Sequence, residues 1–104
     1  MTTQTETAAP TADMILARYA SDVADLAEEQ PATTLAELAN QLRTAAENLE
    51  GTDINGGDEL ETAAQYLTDG NAATDDNTRT VLLGKAAEYL TDVYGMANDY
   101  RDAS

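Results

Sequence analysis

Apolar positions along this chain recur at intervals of three and four, the spacing that lines one face of a helix. Ile15, Leu16, Tyr19, Val23, Leu26 and Ala27 form a first such face. The pattern predicts a helix from Ala12 to Glu29, entered at Pro10 or Thr11 and stopped by Pro31, whose ring cannot continue a helix. Leu35, Leu38, Leu42, Ala45 and Leu49 form a second face, widened by Ala39 and Ala46. Thr34 with Glu37 reads as a capping box, and Gly51 stands where a left-handed residue closes a helix. A third set, Leu60, Ala63, Ala64 and Leu67, predicts a short helix from an Asp58 cap to Asp69, with Gly70 as its terminator. The segments TDINGG and NAATDDN read as polar turns.

The fourth helix, expected from Thr78 to Tyr100, carries two stripes. One is Leu82, Ala86, Tyr89, Val93, Met96 and Tyr100; the other is Leu83, Ala87, Leu90, Tyr94 and Ala97. At about 100° per residue the two cover roughly half of the helix. Such a helix sits against two neighbours of its own chain, or it leaves one stripe for a second molecule. The first arrangement is preferred. Leu83, Ala87, Leu90, Tyr94 and Ala97 are nevertheless the candidate partner or dimer surface. The opposite half, with Gly84, Lys85, Glu88, Asp92 and Gly95, has no apolar side chain among the positions assigned to it.

Together these patterns predict an all-α fold: an antiparallel four-helix bundle with a short third helix. Residues 1–10, without periodicity, are expected to be a disordered leader, and residues 11–104 a single helical domain. LETAAQYLTD at 60–69 returns as LGKAAEYLTD at 83–92, with seven of ten positions matching. The spacing of such echoes is unequal. They mark helices in which leucines bracket small residues, and no repeat architecture is expected from them.

Charge changes the picture of the surface. Twenty Asp and Glu face five Lys and Arg, for a net −15 on 104 residues. Ala (20) and Thr (15) are abundant, and lysine occurs once. In composition this resembles the proteomes of salt-accumulating halophiles, the haloarchaea above all; the resemblance implies an adaptation to brine and no particular activity. The twenty-three Leu, Ile, Val, Met and Tyr beyond the first residue, at helical spacing, distinguish the chain from an acidic disordered tail. Nearly half of its apolar residues are Ala, so a thin core and marginal stability in low salt are expected.

The same composition narrows the chemistry. His and Cys are absent, which excludes Ser-His-Asp and Cys-His nucleophile arrangements and the usual zinc ligands. Asp53, Asn55 and Asp58, or Asp69, Asn71, Asp75 and Asp76, are the carboxylate-rich stretches open to calcium or magnesium. Neither has glycine at the sixth position that an EF-hand requires, and both read as turns and caps. Lys85 is expected to pair with Glu88. No phosphate-binding glycine loop is present. Scattered basic residues give no surface for direct nucleic-acid binding. No stretch is long and apolar enough for a membrane span, and no secretory signal is legible. The expectation is a cytoplasmic, non-enzymatic protein without cofactor: a small protein–protein interaction or regulatory module, with dimerisation through the fourth helix as one form. The alternative is an acidic inhibitor that mimics nucleic acid, as some antitoxin-like proteins do.

Overall fold

The computed structural model describes residues 10–28, 30–52 and 56–103, together with their side chains except those of Tyr94 and residues 96–103. The expected leader therefore lies, but for Pro10, outside the described residues. Four helices, α1 (Ala12–Ala27), α2 (Leu35–Leu49), α3 (Gly57–Ala72) and α4 (Asp76–Ala103), pack against one another, and no strand occurs among the described residues.

Local chemistry sets most of the ends. Thr11 accepts the Met14 amide at 3.2 Å and caps α1. Thr34 accepts the Glu37 amide at 3.1 Å and caps α2. The Glu37 carboxylate reaches past the usual box and accepts from the amide and hydroxyl of Thr33, one residue earlier. Asp75 accepts the Thr78 amide at 2.9 Å, so α4 starts two residues before its expected first residue. Gly51 has φ +81°, as expected for the residue that closes α2. Glu28 enters the left-handed region (φ 59°, ψ 42°) and ends α1 ahead of Pro31.

The third helix is not short. It has 16 residues, as many as α1, and runs through Gly70 to Ala72. Gly70 is buried against α4: a Cβ there would lie 3.0 Å from Cδ2 of Leu83. The glycine serves close approach of two helices, where the sequence pattern suggested a stop. Ala at this position gains about 1 kcal/mol of helix propensity but must displace Leu83. Gly70→Val is expected to lower the unfolding free energy by about 1–3 kcal/mol, measured by urea denaturation.

Helices α2, α3 and α4 follow one another antiparallel. The start of α3 faces the end of α2, with the Gly57 Cβ position 3.6 Å from the Ala46 carbonyl oxygen. Tyr66 and Tyr89 stack across the α3–α4 seam, ring centroids 5.8 Å apart. The first pair departs from the expected antiparallel order. Asn48 Nδ2 donates to the Leu26 carbonyl at 3.0 Å, so α1 and α2 finish side by side. Residues 30–34 return along α2 as a strap, where Gln41 Nε2 donates to the Gln30 carbonyl. Pro31 within it favours an extended conformation for the residue before it.

One contiguous core joins all four helices. Ten of the twenty-one buried apolar residues among those described are Ala, and the largest fully buried side chains are Ile15, Leu38, Leu42, Leu60, Leu67 and Leu90, with Val23 and Val93. The echoed phrase lies at the α3–α4 seam: Leu60, Ala63, Ala64 and Leu67 meet Leu83, Ala86, Ala87 and Leu90, all buried. Its threonines behave alike as well. Thr68 and Thr91 each donate to the carbonyl four residues back at 2.9 Å, and each accepts from a flanking helix, Thr68 from Arg43 of α2 and Thr91 from Tyr19 of α1. The Tyr19–Thr91 contact is 2.8 Å. Because the Thr91 hydroxyl proton is committed to Ala87, Tyr19 is the donor.

Candidate functional site

The surface expected to meet a partner is divided by the fold. Leu83, Ala87 and Leu90 are 3%, 5% and 0% exposed. They belong to the core of their own chain and are not open to another molecule. The side chains of Tyr94 and Ala97 lie outside those described. On the other stripe Ala86 and Val93 are buried, and Leu82 and Tyr89 are half-buried. As far as their side chains are described, up to Val93, both stripes therefore serve the chain itself, with α3 as the main cover and α1 at the margin.

What α4 leaves to solvent is its opposite face. Val81, Lys85, Glu88, Thr91, Asp92 and Gly95 are all exposed. Val81 is 54% exposed and, with Met14 at 52%, is an exposed large hydrophobic residue. The apolar pattern missed it because Val81 falls on neither stripe. It falls instead on the run 81, 85, 88, 92, 95, which alternates steps of four and three. A Cβ built on Gly84 or Gly95 meets nothing within 4 Å. Among the described residues no helix approaches them closely, so Gly84→Ala is expected to add about 0.5–1 kcal/mol of stability through helix propensity, measured as a shift of the denaturation midpoint.

Lys85 makes no ion pair among the described residues, and the expected partnership with Glu88 is not formed. Of the other described cations, Arg18 lies over the Tyr19 ring at 5.8 Å, Arg43 reaches the Thr68 hydroxyl, and Arg79 likewise makes no ion pair among the described residues. Every described Asp and Glu is exposed or half-exposed, and Gln41 is the one buried polar side chain among the described residues.

Two of the depressions in the surface lie beside α2 and α3. The larger, about 610 Å³, lies between the strap and α2, lined by Glu28, Gln30, Pro31, Ala32, Glu37, Asn40 and Gln41. The buried Oε1 of Gln41 has no hydrogen-bond partner among the described residues. The smaller, about 470 Å³, lies beside Tyr66 with Asp58, Glu61, Thr62 and Gln65. Neither gathers a nucleophile with a base. Among the described residues no three Asp or Glu stand close enough to hold a metal ion. Of the carboxylate-rich stretches, Asp53 and Asn55 lie outside the described residues. Asp69 accepts from Gln65 at 3.0 Å within α3, while Asp75 caps α4, so that stretch is divided between two helices.

Two carboxylates are tuned by these caps. Hydrogen bonds from the Thr33 hydroxyl and amide, then from Thr34, hold Glu37 below the usual glutamate pKa. The Thr78 amide and hydroxyl do the same for Asp75. A carboxylate with a lowered folded-state pKa stabilises the fold above its unfolded pKa, and that contribution is lost as pH falls through the folded value. Thr33→Val removes the first-ranked donor to Glu37. Its pKa is expected to rise toward the ordinary value, and acid unfolding to begin at a higher pH. Carboxyl-carbon NMR titration of Glu37 reads the shift directly; an unchanged titration would refute it.

Among the described residues no helix is long and apolar enough to cross a membrane. Comparison with family models, with curated proteins and with solved structures gives no match for this chain.

Proposed function

We propose that this chain is a small, non-enzymatic protein–protein interaction or regulatory module of a salt-rich, haloarchaeal-type cytoplasm. The observation that carries the reading is the state of its charges. A net −15 is spread over a four-helix body whose described carboxylates all reach solvent, with no ion pair among the described residues. Acids kept for catalysis are commonly buried, or paired so that their pKa values diverge. The shifted carboxylates here are exposed helix caps. A coat of hydrated, unpaired acids suits a protein that must stay soluble and folded in brine. Such a body acts through its surface shape and the few groups that break the coat, foremost Val81, Lys85 and Met14.

Unfolding midpoints in dilute buffer and in about 2–4 M KCl test the reading of the coat. Equal midpoints would overturn it.

A further inference from the structure

We infer that the depression between the strap and α2 is a binding site for a primary alkylammonium group, such as a lysine side chain, received by Oε1 of Gln41 and the carboxylate of Glu37. These two residues stand four apart on α2, so their side chains leave the same face of the helix. Each ties down the strap with one arm. Glu37 accepts from the Thr33 amide and hydroxyl through Oε1, and Gln41 Nε2 donates to the Gln30 carbonyl. A carbonyl can only accept, so it fixes which end of the Gln41 amide faces the strap. The atom left over is Oε1, an acceptor. It belongs to a side chain only 6% exposed that lines the depression, and no described residue donates to it. Buried acceptors in folded proteins are as a rule paired, so a donor from outside the chain is called for.

The walls decide what kind of donor. Glu28 and Glu37 line the depression, and no Lys or Arg does. The Thr33 bonds hold the Glu37 carboxyl below its usual pKa, so its charge persists well into mild acid. An ammonium brings three donors, a positive charge and no acceptor. A guanidinium is best served by both oxygens of a carboxylate side by side, and one oxygen of Glu37 is already engaged by Thr33. A metal ion needs several oxygens around it, and among the described residues no three Asp or Glu stand close enough to supply them. The space, about 610 Å³, also exceeds what a bare ion occupies and admits a carbon chain. Pro31 and Ala32 line it as well and offer apolar surface to a methylene stem, the part of a lysine that packs while its head is solvated or paired.

The test is a titration of the isotope-labelled chain, followed by amide NMR in enough KCl to keep it folded. n-Butylammonium chloride is added to one sample and tetramethylammonium chloride to another at equal concentration. Both cations carry one charge, but the second has no N–H to donate. A saturable shift of the Gln41 side-chain amide and of the Ala32 amide is expected with n-butylammonium alone. A lysine-containing peptide forms a third arm. Tighter binding of the peptide assigns the site to a protein partner, and equal or tighter binding of the small amine assigns it to a free amine; either supports the site. Glu37→Gln removes the charge while leaving an oxygen for Thr33, and Gln41→Met removes the buried acceptor. Each is expected to weaken binding about tenfold. Dispersion of the amide spectrum reports whether each variant is folded, and if Gln41→Met is not, Glu37→Gln carries the comparison. Absence of a saturable shift would overturn the inference, as would an equal response to tetramethylammonium or unchanged binding by Glu37→Gln. Each of those results leaves the reading of the acidic coat in place, because the coat is tested by melting in KCl and requires no occupant of this depression.

Discussion

In dilute buffer the chain is expected to lose most of its helical circular dichroism at temperatures where it remains folded in molar KCl. Each term in the balance points that way. Folded domains are stable by only about 5–15 kcal/mol, and small ones bury a smaller share of their surface. Ten of the twenty-one buried apolar residues among those described are Ala, so the apolar gain per ordered residue is low. Against it stands the mutual repulsion of a net −15, without ion pairs among the described residues to offset it. The repulsion is concentrated at particular places. Asp25 and Glu28 crowd the end of α1, where the helix dipole disfavours negative charge and no basic residue lies in the last turn. Added salt shortens the screening length from about 10 Å at 0.1 M to roughly 3 Å at 1 M and removes most of this term. Sodium sulfate would also strengthen apolar burial, so KCl is the salt that isolates screening. A melting temperature independent of KCl would mean that the carboxylates are balanced in a way the structure does not contain.

Leu42→Ala is expected to cost about 2–5 kcal/mol, enough to leave the variant largely unfolded without salt. Leu42 is fully buried in α2, the helix that contacts both α1 and α3. Its surroundings in α2 are already small: Ala39, Ala45 and Ala46 are buried on the same helix. Small side chains cannot swing into the vacated space, so the cavity persists and its penalty adds to the lost transfer energy. The measurement is urea denaturation in high salt, where wild type and variant are both folded. A loss below about 1 kcal/mol would show that α1 and α3 collapse onto α2. The contrast with Gly84→Ala, a substitution on the solvent face, separates core packing from helix propensity.

Much of the fold was legible because helix signals are local. Thr11, Thr34 and Gly51 mark ends through bonds or backbone angles confined to a few residues, and the leucine spacing identifies the buried face of α2 without reference to any neighbour. Gly70 was misread because glycine has two uses with one sequence signature. It ends helices through its backbone freedom and lets helices approach through its missing side chain. Only the position of Leu83 selects between them. Leu83, Ala87 and Leu90, three of the five candidate partner residues, turned out to be core residues for a related reason. Two apolar stripes side by side say how much of α4 must be covered and nothing about what covers it. Leu83 and Leu90 went to α3, and the face left over was the one that looked plainly solvated, where Val81 stood outside both stripes. The direction of α1 was beyond reach for another reason: Pro31 indicates a break, but a hairpin and a strap that returns along α2 contain the same break.

By itself the sequence determined that this protein is helical, where most of its caps fall and which side chains avoid water. These follow from interactions over four residues or fewer. The tertiary structure decided that α3 continues through Gly70, that α1 and α2 end together, that Leu83, Ala86, Ala87, Leu90 and Val93 of α4 are buried within the chain, and that Val81, Lys85 and Asp92 share an outward face with two open glycines. Those outcomes depend on which helix meets which, a choice made by the sum of many weak contacts between segments far apart in the chain.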